Sequence, residues 1–310
     1  MSATSPAAAR KYRVTVLAGG PSAERAVSLL SGAAVAAALR ARGHEVFEAD
    51  IRPDDLEALD EPADVIFPAL HGTFGEDGAL QRIMEERGLR FVGSGAAASA
   101  EAMDKVRTKR ALVGLGVMLP RDIVVTKSRL DDGPPPISVP VVVKPVDQGS
   151  SVATYIVRDQ AALPAALKDV VGRFGQALVE QFIAGDELTV GIIGNEALPP
   201  ICIRPKRAFY DYDAKYIDDA TEYLFDAGHP AALLSTLRTQ SLRIFRHLGC
   251  RHLARADWIV DERGRPWFLE VNTIPGFTSH SLVPKAAAHA GICFEELVER
   301  LVRMAAGDLA

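Results

Sequence analysis

A chain of 310 residues that is 48% hydrophobic and 24% charged is ordinary for a soluble globular protein, and it is long enough for two or three domains. Its net charge of −5 argues against nucleic acid or an anionic membrane as the main partner, and no apolar run is long enough to span a bilayer. Cys202, Cys250 and Cys293 lie far apart and form no metal spacing, and their odd number fits a reducing cytoplasm better than a disulfide framework.

The opening MSATSPAAAR lacks a long apolar core and reads as a frayed tail. YRVTVLAGG is an apolar strand, PSAERAVSLLSGAAVAAALRARG a helix ending near Gly43, and HEVFEADI a second strand. That is a βαβ opening with glycines at the strand-to-helix handover, although the G-x-G-x-x-G dinucleotide pattern is absent. Glu24 and Ser28 lie four apart near the helix start on one face, and Glu24 by itself reads more readily as a first-turn acid favoured by the helix dipole. ADVIFPAL is a third strand running into HGTFGEDGAL, a Gly-rich loop with His71, Glu76 and Asp77. An α/β sheet places ligand sites at such strand ends.

RFVGSGAAASAEAMDKVRTKRALVGLGV predicts a short strand, a turn, and one helix carrying Lys105, Arg107 and Lys109. A Pro-rich loop follows, then PVVVKPVDQGSSVATYIV, where a strand ends in Lys144 before a small-residue loop. Backbone N–H groups and hydroxyls of Gly-Ser-Ser suit phosphate oxygens, and Lys144 adds a point charge, but no G-K-[ST] follows as in a P-loop. ALVEQFIAGDELTVGIIGN reads strand, turn, strand, with Glu180 at the end of the first and Glu187 inside the second; strand-end glutamates are usually solvated. KRAFYDYDAKYIDDATEYLF has no clean period and predicts an irregular binding loop or lid from about Lys206 to Thr221.

RADWIVDERGRPWFLEVN predicts a β-hairpin. With a two-residue turn at Arg263 and Gly264, Asp257 lies opposite Glu270 and Arg255 opposite Asn272. Side chains two apart share a face, so these four converge, while Ala256, Trp258, Leu269 and Val271 face the other way. Two carboxylates and an amide oxygen make a hard-cation site suited to Mg²⁺. An Arg255–Asp257 ion pair on a solvated face reads equally well from the hairpin alone, and a one-residue slip would move the whole set.

Six segments together carry a resemblance: GGPSAERAVSLLSG, ALHGTFGEDGALQ, VGSGAAASAEAMDKVRTK, VVVKPVDQGSSV, YDYDAKY and FLEVNTIPGFTSHSLVPKAA. In this order the chain resembles the D-alanine–D-alanine ligase family of the ATP-grasp superfamily, from about residue 13 onward. The resemblance implies an α/β (α+β) ATP-grasp fold with three subdomains: a Rossmann-like unit over 1–100, a central unit over 101–183 and a C-terminal unit over 184–310. It implies ATP and two D-alanine molecules as substrates, two Mg²⁺ or Mn²⁺ ions, a monovalent cation, a homodimer and a cytoplasmic role in peptidoglycan precursor synthesis.

Position by position, Lys105, Lys144, Ser151, Glu180, Gln181, Ile183, Glu187 and Lys215 match residues that hold the nucleotide. Asp257, Glu270 and Asn272 match the metal ligands. Glu24 would face the first D-alanine's amino group, linked through Ser150 to Tyr216, with His71 near that substrate's carboxylate. Ser281 and Leu282 match positions near the second carboxylate, and Arg255 with the Gly276 N–H matches an oxyanion hole. Two departures stand out: Ala153 replaces a common glycine after GSSV, and Gln181 replaces a common lysine beside the adenine. A sister ligase using D-lactate or D-serine is the alternative. Tyr216 in YDYDAKY favours alanine, and the complete Asp257–Glu270–Asn272 set speaks against a non-catalytic nucleotide-binding module.

Overall fold

The computed structural model describes residues 10–130, 135–204, 221–225 and 227–309. Three sheets carry them. The first has β1 (Arg13–Ala18) at its centre, with β2 (Glu45–Asp50) and β3 (Val65–Pro68) parallel on either side. Parallel order requires a crossover, which α1 (Arg25–Ala41) supplies. Its Ala-rich inner face lets helix and sheet close up: a Cβ on Gly32 would lie 2.5 Å from the Ala18 methyl. Helix α2 (Ala79–Glu86) follows the Gly-rich loop. The single helix expected through Lys105 is two, α3 (Ala96–Met103) and α4 (Lys105–Ala111). Asp104 breaks it by taking the N–H groups of Val106 and Arg107, each at 2.9 Å, which starts a new helix.

The second sheet is antiparallel, in the order β4 (Asp122–Thr126), β7 (Gln176–Gln181), β5 (Val141–Pro145), β6 (Tyr155–Val157). Helix α5 (Lys127–Leu130) follows β4, and α6 (Leu163–Phe174) seats Leu167, Val170 and Val171 on Val141, Val143 and Val179. The third sheet contains β8 (Gly185–Ile193), β9 (Glu196–Ala197), β10 (Ile201–Arg204), β11 (Glu222–Leu224), β12 (Leu253–Asp261) and β13 (Pro266–Asn272). Its order is β11-β10-β8-β12-β13, with β9 on β8. Helix α7 (Ala231–His247) packs Leu237, Ile244 and Phe245 into the same core as Trp258 and Phe268. Helices α8 (Leu282–His289) and α9 (Phe294–Ala306) return to the first sheet, where Leu297 and Leu301 join Val14, Val16 and Leu39.

The stretch expected to be irregular ends in β11, which pairs Glu222 with Arg204. Residues 205–220, with Lys215, Tyr216 and most of the expected lid, lie outside the described residues. No helix of the described residues is long and apolar enough to cross a membrane.

The β12–β13 hairpin differs from its expected form in two places. Val260 pairs with Pro266, and the Asp261 N–H bonds the Arg265 carbonyl, so the loop has three residues, closed by Gly264 at φ 72°. Asp261 builds it: its carboxylate takes the N–H groups of Arg263 and Arg265 and the Trp267 indole. The extra residue shifts the register by one. A bulge between Asp257 and Trp258 shifts it back, leaving Leu269 as the additional residue. Asp257 therefore still faces Glu270, and Arg255 still faces Asn272. Leu269 does not join the buried face; Phe268 takes that place against Trp258, and Leu269 lines a cavity.

His252, just before β12, makes stability sensitive to acid. It holds φ 65° and accepts the Gly93 N–H at 3.0 Å through Nδ1. Burial, aided by Arg251, pushes its pKa down from 6.5 to about 4. A histidine depressed on folding contributes stability that is full above the unfolded pKa and lost as pH falls toward the folded one. Unfolding free energy should therefore drop between pH 6.5 and about 4, by roughly 1–3 kcal/mol. Asn tolerates positive φ and keeps an acceptor, so in urea titrations across that window His252→Asn should flatten the slope. An equal slope in both proteins would assign the acid sensitivity to other groups.

Candidate active site

Two cavities meet between the sheets. The larger, about 490 Å³, is lined by Lys105, Lys144, Ser151, Glu180, Gln181, Ile183 and Glu187, and by Asp257 and Glu270 from the hairpin. The smaller, about 70 Å³, is lined by Glu24, His71, Ser150, Arg255, Asn272, Gly276, Ser281 and Leu282. Glu187, Asp257 and Glu270 line both. Every candidate residue that is described lies on one or both cavities.

The larger cavity has a charged floor. Glu180 is only 3% exposed, contrary to the solvated position its strand end suggests. Lys144 Nζ lies 2.5 Å from one carboxylate oxygen and Lys109 Nζ 2.7 Å from the other. Lys109 also donates to the Pro120 carbonyl and pairs with Asp122, each at 2.7 Å. Burial alone would raise the Glu180 pKa, but the two ammonium groups outweigh it and hold the carboxyl below its ordinary value. Burial would likewise lower Lys144, and Glu180 with Glu270 holds it above its ordinary value. Glu180 and Lys144 therefore stay charged at neutral pH. Lys109 is the residue the sequence reading left without a role; its spacing from Lys105, one helical turn on the same face, was the available signal.

Above this floor, Lys105 Nζ donates to the Gln148 carbonyl at 2.7 Å and lies 3.3 Å from Glu270. The Gly-Ser-Ser loop is held by unusual backbone: Ser150, Ser151 and Ala153 all have positive φ, at 49°, 58° and 49°. Ala153 thus keeps a left-handed conformation that favours glycine, at a cost of about 1–2 kcal/mol. Its methyl packs on the Val143 and Val157 core in return.

On the hairpin, Arg255 grips Asp257 with both arms of its fork: Nε lies 2.9 Å from Oδ1, and the terminal nitrogen 2.7 Å from Oδ2. Thr189, unmarked in the sequence reading, donates to the same carboxylate at 2.6 Å. The ion-pair reading and the convergent-face reading are therefore both true of Asp257. Asn272 turns its amide oxygen to the Ile274 N–H at 2.8 Å. Asp257, Glu270 and Asn272 offer oxygen donors only, at a cavity junction, which suits a hard divalent cation and not a thiophilic one.

In the smaller cavity, Glu24 caps no helix N–H; Ser150 donates its hydroxyl to the Glu24 carboxylate instead. Gly72 and Gly149 let backbone approach that carboxylate: an added Cβ would come within 3.1 and 3.5 Å of it. Ser28, on the same face of α1, plays another part, bonding Gly19 and Ala69 to fix the ends of β1 and β3. His71 is buried, with Nδ1 between the Ile274 carbonyl at 3.2 Å and Glu76 at 3.3 Å, and Nε2 3.3 Å from the Ser31 hydroxyl. Burial pulls its pKa down, but Glu76 and Glu24 hold it above its ordinary value. Gly276 has no room for a side chain: a Cβ would lie 2.7 Å from Ser281 Oγ, which already accepts the Thr278 N–H.

Two antiparallel sheets enclosing a cavity floored by buried lysines and edged by a hairpin of oxygen donors make up an ATP-grasp fold. The family description "D-ala D-ala ligase C-terminus" matches residues 130–303, and "D-ala D-ala ligase N-terminus" matches residues 48–94. A D-alanine–D-alanine ligase of Ectopseudomonas mendocina is 45% identical over 92% of this chain and 92% of its own, and one of Marinobacter nauticus 46% over 94% and 90%. The crystal structure of D-alanine–D-alanine ligase from Bacillus anthracis complexed with ATP superposes with a TM-score of 0.82 at 32% identity, over 95% of this chain and 97% of that one. The chain belongs to the D-alanine–D-alanine ligase family.

Proposed function

We propose that this ligase joins two D-alanine molecules at the junction of the two cavities, with its side chains divided between them. The observation that carries the assignment is that Glu187, Asp257 and Glu270 are common walls of a nucleotide-sized cavity and a small polar one. In the larger, Gln181 to Ile183 flank the adenine, Glu187 takes the ribose hydroxyls, and Lys105, Lys144 and the Ser151 loop neutralise phosphate charge. Lys215 adds a charge near the γ-phosphate. Asp257, Glu270 and Asn272 would hold Mg²⁺ or Mn²⁺, which neutralises charge on the transferring phosphoryl group when bound.

In the smaller cavity, Glu24 holds the ammonium of the first D-alanine, Ser150 orients Glu24, and His71 stands by the carboxylate. That carboxylate attacks the γ-phosphorus of ATP; ADP leaves and an acyl phosphate remains. The second D-alanine, its carboxylate held by Ser281 and the N–H of Leu282, gives up a proton from its ammonium and attacks the carbonyl carbon. Arg255 and the Gly276 N–H stabilise the tetrahedral oxyanion, and phosphate leaves as the peptide bond forms. Tyr216 covers the site and completes the link to Ser150. The three sheets support a division near residues 100 and 183, with the last two helices returning to the first unit. On the same reading the enzyme is a cytoplasmic homodimer, activated by a monovalent cation, that feeds peptidoglycan precursor synthesis.

Phosphate release that requires D-alanine, with the dipeptide as product, tests the reading. Supplying D-alanine and D-lactate together should yield the dipeptide at neutral pH; a dominant depsipeptide would reassign the acceptor. Ser150→Ala removes a hydrogen bond to a charged group, worth about 1.5–3 kcal/mol. It should therefore raise the apparent KM for the first D-alanine by roughly tenfold to a hundredfold. An unchanged KM would leave Ser150 as loop structure only.

A further inference from the structure

The third sheet has two faces; the cavities just described lie mainly on one, and Asp186 and Arg204 of the other edge the larger cavity. In the β8–β10 register, Ile203 pairs with Glu187, and both line the cavities. Cys202 pairs with Leu188, and Asp186, two residues from Leu188, shares its face. On that reverse face, at the approach to α7, stands His229. The Asp186 carboxylate, the Cys202 sulfur and a His229 ring nitrogen all lie within 4.8 Å of one another.

We propose that Asp186, Cys202 and His229 form a binding site for a late first-row divalent ion, Zn²⁺ in the first place, separate from the oxygen-only hairpin site. The donor chemistry sets the ion: one sulfur, one imidazole nitrogen and one carboxylate oxygen select Zn²⁺ over Mg²⁺. The spacing fits as well. Donors bound tetrahedrally at about 2.0–2.3 Å are separated by roughly 3.3–3.8 Å. Asp186 Oδ2 and His229 Nε2 are 3.2 Å apart, and closing the third donor in from at most 4.8 Å is within side-chain reach.

The plain alternative is an Asp186–His229 ion pair beside an ordinary core cysteine. It leaves two observations unexplained. His229 Nε2 is buried and makes no hydrogen bond, because its approach to Asp186 is close but misdirected. The sulfur nearest that nitrogen belongs to a residue that is 1% exposed and whose thiol, pushed up by burial to about 11, carries its proton at neutral pH. Ion binding resolves both: the thiol releases its proton to solvent, sulfur and Nε2 each donate a lone pair to the ion, and water fills the fourth position. Cys202 and His229 also bracket the segment that contains Lys215 and Tyr216. An ion held here joins β8 and β10 to the chain just before α7.

The test is a Co²⁺ titration of the full chain without nucleotide, in excess Mg²⁺ to occupy oxygen sites. One equivalent of Co²⁺ should raise a near-ultraviolet thiolate-to-metal charge-transfer band, release about one proton, and be displaced by Zn²⁺. Cys202→Ser should abolish the band, Asp186→Asn and His229→Gln should weaken binding at least about tenfold, and Cys293→Ser should leave it unchanged. If Cys202→Ser fails to fold, the partly exposed His229→Gln carries the test through the lost affinity. Absence of the band in the wild-type chain, or a band untouched by both the Asp186 and His229 variants, overturns the site.

Discussion

Glu270→Gln is expected to lose dipeptide synthesis by on the order of a thousandfold, since on the proposed assignment several kcal/mol of charge stabilisation in the transition state depend on this carboxylate holding a metal. The same variant should melt within about 3 °C of the wild type. Glu270 supports little of the fold: its side chain is 29% exposed, and its ion-pair partner, Lys105 at 3.3 Å, keeps its bond to the Gln148 carbonyl. A glutamine oxygen can still accept from Lys105, so the substitution removes charge and leaves shape. Melting and D-alanine-dependent phosphate release should be measured on one preparation, with Mg²⁺ varied. Near wild-type turnover at ordinary Mg²⁺ would end the assignment of Glu270 as a metal ligand. A large fall in melting temperature would instead make it a structural member of the Lys105 cluster.

How far the sequence led is clearest at that same hairpin. Its alternation placed Asp257 opposite Glu270, yet a three-residue loop and a bulge at Leu269 each moved the register by one and cancelled. Period-2 patterning reads the net alignment of buried faces and cannot see paired irregularities, so Leu269 was assigned to the wrong side. The succession of strands and helices along the chain, and the βαβ opening, were legible because glycines and apolar runs mark strand ends locally. The charged floor was not. A strand-end glutamate looks solvated, and only the fold brings Lys109 and Lys144 to Glu180 from other elements. Thr189 was hidden for the same reason: nothing on β8 announces that its hydroxyl will meet a carboxylate on β12. Asp104 shows the opposite failure, since its capping of α4 uses a local signal that the apolar period overrode.

Arg255→Lys separates two roles proposed for one guanidinium. The fork holds both oxygens of Asp257, and the same group lines the smaller cavity beside Gly276 and Ser281. Lysine keeps the charge but cannot grip a carboxylate bidentately or present a planar donor pair. Loss of an oxyanion donor costs about 3–4 kcal/mol, so dipeptide formation should fall on the order of a hundredfold to a thousandfold. Phosphoryl transfer to the first D-alanine precedes the tetrahedral intermediate and should suffer much less. It can be followed as isotope exchange in ATP or as D-alanine-dependent ADP release, with dipeptide measured beside it. The variant should then spend more than one ATP for each dipeptide, because the stranded acyl phosphate is hydrolysed before the second amine attacks. If Arg255 served only to orient Asp257, both half-reactions would fall together, the ratio of ADP to dipeptide would stay at one, and raised Mg²⁺ would restore part of each. The stoichiometry therefore distinguishes a donor to the oxyanion from a holder of the metal ligand.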